Sequence, residues 1–249
     1  IATDRQGGTP QGDAPEGGTP MGQTVGLDTT LAQGEHTTAH SFWITSENRE
    51  SPAQETSGQA GYAQIKYDDP GLRLYLHHLQ IDKAFDLPLG FVSQTNLFET
   101  QGYADFRTQP PSGLVREYGL KAEMTYQAET DGYFLYQSNY FRGLCYLRSG
   151  EFFLLSVDPQ KERLPSDFQI RPGIVIPADT YQYNEYNLFL FSDTNTPTSG
   201  TVIIKNGGFY GGRKTGINFD ITTTPMEGLK LGTGLDLDFV DLPAGEFVG

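Results

Sequence analysis

The chain has 249 residues, and 31 acidic against 17 basic side chains give it a net charge of −14, the wrong sign for a nucleic-acid footprint or for adhesion to an anionic bilayer surface. One cysteine, Cys145, excludes an internal disulfide framework and a Cys-rich zinc site. No apolar run approaches the roughly 18 to 20 residues of a membrane helix, and the 30 Gly, 15 Pro, 14 Tyr and 16 Phe fit many strands between turns.

Helical periodicity is nearly absent, and period-2 segments predict about twelve antiparallel strands. They cover 23–32, 36–47, 59–67, 72–83, 101–108, 113–128, 133–147, 151–159, 180–193, 200–206, 212–223 and 228–240. Between them, "QGE" (33–35), "DDPG" (68–71), "QPPS" (109–112), "RSG" (148–150), "DTNTPTS" (193–199) and "TPMEG" (224–228) read as tight turns. The interleaved connections 7–23, 48–58, 84–101, 161–179 and the segment from Asp241 on read as longer, with "ETDG" (129–132) and "GGFYGG" (207–212) short. Tight turns at one end and long loops at the other match an outer-membrane barrel.

In "LKLGTGLDLDF", Leu229, Leu231, Leu235, Leu237 and Phe239 share one face with Thr233, while Lys230, Asp236 and Asp238 share the other with two glycines. Ile217, Phe219 and Ile221 alternate in the same way with Asn218, Asp220 and Thr222, and Tyr118, Leu120, Ala122, Met124 and Tyr126 alternate with Glu117, Lys121, Glu123 and Thr125. The apolar sets are candidate lipid-facing positions. Lys230, Asp236, Asp238, Asn218 and Asp220 are the candidate lumen-facing positions. Tyr67, Tyr103, Tyr133, Tyr181, Tyr183 and Phe239 bound strands, as interfacial rings would. Strands 36–47 and 133–147 alternate too poorly for a face to be assigned.

Chemistry is sparse. His36 and His40 lie about 13 Å apart on a strand, and His77 and His78 point to opposite faces, so neither pair converges on a metal. Asp236 and Asp238 are about 6.6 Å apart, a separation that glycosidases use, but two carboxylates on a wet face are the ordinary reading. "GGFYGGRKT" lacks the Gly before Lys that a phosphate loop requires and reads as a hairpin turn. "NRESPAQETSG" is acidic without the spacing of a calcium loop, and Cys145 reads as a packing residue. No nucleophile elbow and no cofactor motif is present. Two further readings stand beside the barrel: a secreted soluble β-sandwich that binds glycans through its tyrosines, and a hydrolase using Asp236 and Asp238 or an acidic loop.

"FQIRPGIVIPADTYQYNEY" (168–186), "NTPTSG" (195–200), "GGFYGGRKT" (207–215) and "DFVDLPAGEF" (238–247) resemble, in order and spacing, a family of bacterial outer-membrane proteins. Thinner echoes are "IATDRQ", "TVGLDTTLAQGE" (24–35) and "LGFV" (89–92). That family joins an N-terminal carbohydrate-binding module of the family 9 type to a C-terminal β-barrel domain of unknown function. The resemblance implies an all-β antiparallel up-and-down transmembrane barrel, of which residues 1–249 are one partial domain. A signal peptide and binding module are expected upstream and closing strands downstream. It implies lipid as partner, saccharides as candidate cargo, the outer membrane as location, and no catalytic residue or cofactor.

Overall fold

A computed structural model describes residues 2–6, 21–51, 54–86, 92 and 94–249, with side chains described over 22–48, 56–86, 92 and 94–249. The strands are β1 (Ala2–Gln6), β2 (Met21–Gln33), β3 (Thr37–Ser51), β4 (Gln54–Asp69), β5 (Leu72–Ile81), β6 (Leu97–Thr108), β7 (Val115–Ala128), β8 (Phe134–Leu147), β9 (Phe152–Arg163), β10 (Phe168–Arg171), β11 (Ile174–Ile176), β12 (Thr180–Phe191), β13 (Thr198–Phe209), β14 (Gly212–Met226), β15 (Leu229–Leu242) and β16 (Gly245–Val248). Fourteen of them form one sheet in the order β1 to β9 and then β12 to β16, while β10 pairs with β11. The fold is therefore all-β, antiparallel and up-and-down. At the two ends of the order, β1 and β16 each have one neighbour among the described residues.

Every predicted strand is present, but three connections differ from expectation. Residues 48–58, predicted as a loop, are mostly the paired ends of β3 and β4. Their polar sequence gives no alternation by which a strand could be told from a loop. After Asp241 the chain turns at 243–244 straight into β16, and 161–179 holds the end of β9 and the β10–β11 pair. A long connection remains at 164–179, while 87–91 and 93 of the predicted loop 84–101, and most of 7–23, lie outside the described residues. The contrast between short and long ends is weaker than the sequence suggests.

The chain divides into two compact units. In the first (Ile1–Asp68, Tyr75–Gly102 and Tyr126–Phe134), the β2–β3–β4 register aligns Leu27 with Trp43 and Gly61, and Leu31 with Ala39 and Ile65. Leu27, Leu31, Trp43 and Ile65 are all exposed. On the opposite face Asp28 aligns with Phe42 and Tyr62, and Thr30 with His40 and Gln64. Gly61 is required where it stands, because a Cβ there would lie 2.5 Å from the Trp43 ring.

In the second unit (Asp69–Leu74, Tyr103–Thr125 and Leu135–Gly249), the cross-strand rows are longer. On one face, Gly143, Leu155, Leu188, Ile204, Ile217 and Leu237 run in register across β8, β9, β12, β13, β14 and β15. The next rows on that face are Cys145, Phe153, Leu190, Val202, Phe219, Leu235 and Phe141, Val157, Tyr186, Asn206, Thr215, Phe239. Asn206 donates to the Thr215 hydroxyl at 2.7 Å, so the polar pair in the last row is matched within itself. Much of this face is open: Leu155 is 64% and Leu235 52% exposed. The buried apolar cluster of this unit lies elsewhere, around Ile176, Val240 and Leu242.

Candidate functional site

The opposite, polar face of the second unit carries the charged groups. Arg142, Ser156, Asn187, Lys205, Gly216 and Asp238 form one register row across β8, β9, β12, β13, β14 and β15. At its β13–β15 end lies a hollow of about 220 Å³, bounded by Lys205, Lys214, Gly216, Asn218, Asp236 and Asp238. The Lys214 ammonium sits 2.7 Å from the Asp238 carboxylate. Both side chains are about one-third exposed, so the pair fixes local geometry more than it stabilises the fold.

Two glycines make room for these carboxylates. A Cβ at Gly216 would lie 2.7 Å from Asp238 Oδ1, and one at Gly234 would lie 2.3 Å from Asp220 Oδ1. Gly216 and Asp238 are cross-strand partners, as are Gly234 and Asp220, so each carboxylate lies flat across a bare backbone. In a hairpin the turn sets the register, and a slip of one residue exchanges the faces. Counted from the Met226–Leu229 pair, Asn218 would fall opposite Leu237. The register shift between Thr223 and Met226 restores Asn218 to Asp236 and Ile217 to Leu237. Pro225 lies inside that shift, where a missing N–H breaks no ladder bond.

Of the candidate lumen-facing residues, the structure brings together Asn218, Asp236 and Asp238, with Asp220 next along the face. Lys230 lies beside the Glu227–Gly228 turn, away from the hollow. The candidate lipid-facing residues Ile217, Phe219, Ile221, Leu235 and Leu237 share one face through their register, and Leu229, Leu231 and Phe239 continue it along β15. Sequence reasoning missed Lys205 and Lys214, whose placement depends on cross-strand register. Tyr181 and Tyr183, read as interfacial rings, belong with Asn187 on the polar face, where the Tyr183 hydroxyl donates to Glu162 at 3.3 Å. Two-residue alternation along β12 sends them there.

Elsewhere on this face charges are paired. Arg107 reaches both Asp105 (3.2 Å) and Glu117 (3.3 Å), and Arg142 lies 3.7 Å from Asp105. The Ser138 hydroxyl and the Gln160 amide donate to Asp158, and Asn187 donates to Ser156 and Glu185. In the Tyr210–Gly211 turn, where φ is +43° and +81° as a two-residue hairpin needs, Tyr210 donates to Glu162 at 2.8 Å. Burial, and then that bond, push its phenol up to about 12, so it remains a donor through neutral pH. "GGFYGG" is therefore a hairpin turn, as predicted.

The polar face of the first unit is aromatic as well as charged. Phe42 stacks on Tyr62 at 5.4 Å, Tyr62 meets the Tyr75 hydroxyl at 3.2 Å, and His77 bonds Glu99 at 2.9 Å. His36 meets the Asp68 carbonyl, His40 meets Asp28 and His78 meets Thr100, so the four histidines do not converge. Among the described residues, no group of three or more His, Cys, Asp and Glu is placed to hold a metal ion. The side chains of 49–55, within the acidic stretch weighed for calcium, lie outside the described ones.

No family model matches the chain, and no curated protein matches it. Among solved structures, a triple mutant of the Rhodopseudomonas blastica porin is similar at a TM-score of 0.38 and 10% identity, over 92% of this chain and 88% of that one.

Proposed function

We propose that the chain forms the wall of a transmembrane β-barrel in a bacterial outer membrane. The barrel passes small polar solutes, saccharides among them, and anchors the carbohydrate-binding module that the sequence resemblance implies. One observation carries this reading: the length of the charge-free apolar face. On β15 that face runs from Leu229 to Phe239 without a charge, and the next position on it, Asp241, pairs with Arg213 of β14. The ten steps from Leu229 to Phe239, at about 3.4 Å each, span about 34 Å. Tilted by about 45°, they cover about 24 Å of the membrane normal, close to the roughly 25 Å apolar band of outer-membrane barrels.

A soluble sheet would bury such a face under a second layer. Here the neighbouring rows Leu155 to Leu237 and Phe153 to Leu235 extend the same band sideways over five strands. On the other face, paired carboxylates and cations keep a lumen wetted while leaving few bare charges. In hydrocarbon an unpaired backbone N–H or C=O costs several kcal/mol, so a barrel in the membrane leaves no strand edge unpaired.

Cell fractionation and heat-modified gel mobility test the proposal. The protein, produced with its native upstream sequence, is expected in the outer-membrane fraction, migrating faster unheated than boiled. A soluble protein with one mobility contradicts the barrel and favours the glycan-binding sandwich.

A further inference from the structure

The alternation of β15 changes at its end. Up to Phe239 one face is apolar, but Val240 and Leu242 then place large apolar groups on the polar face, in line with Asp236 and Asp238. Standing in an aqueous lumen they would each hold a large apolar surface against water, which is unfavourable. They are not exposed: Val240 and Leu242 are each 5% accessible, and Ile176 is 2%. Their cover is the β10–β11 hairpin, whose Ile170, Ile174 and Ile176 join Tyr181, Phe209 and Phe247 around them. Phe247 pairs with Val240 and so lies on the same face.

The hairpin is held at its base as well as by this cluster. Leu164 N–H donates to the Asp179 carbonyl at 2.9 Å, Ala178 N–H to Asp167 at 2.8 Å, and the Tyr181 hydroxyl to the Pro177 carbonyl at 2.9 Å. Arg171 lies 4.3 Å over the Phe247 ring. Gly245 brings its backbone close to the hairpin, since a Cβ there would meet Ile174 Cδ1 at 3.5 Å. A connection that merely projected into solvent would not need three isoleucines seated on the polar face of the sheet.

We propose that the β10–β11 hairpin is a fixed constriction, folded against the lumen side of the wall, that sets the upper size of the solutes passed. This rests on the pore reading above. It assigns Ile170, Ile174 and Ile176 as the residues that position the constriction, and it selects small polar solutes by size.

The test compares the full protein with a variant in which 168–176 is replaced by a Gly-Ser linker, each also carrying Val240→Cys in a Cys145→Ser background. Single-channel conductance is measured in planar bilayers with polyethylene glycols of graded size as blockers, and Val240→Cys labelling with a water-soluble maleimide. The inference expects the linker variant to conduct about twofold more or better, to admit larger polymers, and to label quickly where the intact hairpin protects. Rapid labelling with unchanged conductance and polymer cut-off overturns the constriction while the pore stands. Equal labelling with and without the hairpin overturns the seat on the wall. No conductance from either protein overturns the pore reading and, with it, the constriction.

Discussion

Ile217→Arg is expected to cost about 2–4 kcal/mol in a lipid bilayer, the penalty for a cationic side chain at the midplane on the lipid face of a barrel. Ile217 stands in the row from Leu155 through Leu188 and Ile204 to Leu237, with apolar partners on both neighbouring strands. The adjacent Asn218 points the other way, opposite Asp236. Asn218→Arg should therefore stay within about 0.5 kcal/mol of wild type, as surface substitutions usually do. Urea unfolding of protein refolded into phospholipid vesicles measures both. Two adjacent substitutions of the same charge, one severe and one silent, identify two different solvents. Equal tolerance would mean that water bathes both faces.

Gly207→Ala is expected to cost about 1–3 kcal/mol, as overpacking against fixed atoms does. Gly207 is buried between Glu185 of β12 and Lys214 of β14. A Cβ there would fall 2.2 Å from the Asn184 carbonyl oxygen and 2.8 Å from Glu185 Cα. Both are backbone atoms, so relief requires the strands themselves to move. Gly143→Ala is the control, since its Cβ would meet only Leu120 Cδ2 at 3.6 Å, an ordinary contact. Gly143 also borders the groove of about 690 Å³ on the apolar face, between Phe106, Leu120, Phe141, Leu155 and Tyr186. The added methyl has room there. Unfolding midpoints of the two variants should separate clearly, and coincident midpoints would contradict the close approach of β12 and β13.

The faces of β14 and β15 are legible in sequence because every second side chain along them is large and apolar, and the turn residues between strands mark the ends. β3 and β8 are not legible for a definite reason. On β3 the exposed Trp43 shares its face with Ala39, Ser41 and Thr45, while Phe42 and Ile44 lie on the face of His40. On β8 the apolar face holds Gly143, and Leu144 lies on the face of Arg142. Side-chain size is spread over both faces, so period 2 fades. The β10–β11 hairpin escapes because strands of three and four residues are too short to show any period. Its trace in the sequence is indirect, in Val240 and Leu242, where β15 becomes apolar on both faces. Asp238 was legible as a polar-face residue, but its pairing with Lys214 was beyond reach, since the register shift before the β14–β15 turn moves every partner by one.

The proposal that the apolar face lies in the membrane is tested most directly by the single tryptophan. Trp43 is 49% exposed, over Gly61 and in line with Leu27 on the apolar face of the first unit. Its fluorescence should be strongly quenched in vesicles whose acyl chains carry bromine and little affected by aqueous acrylamide. Acrylamide quenching with no response to brominated lipid would place that face in water and contradict the membrane barrel.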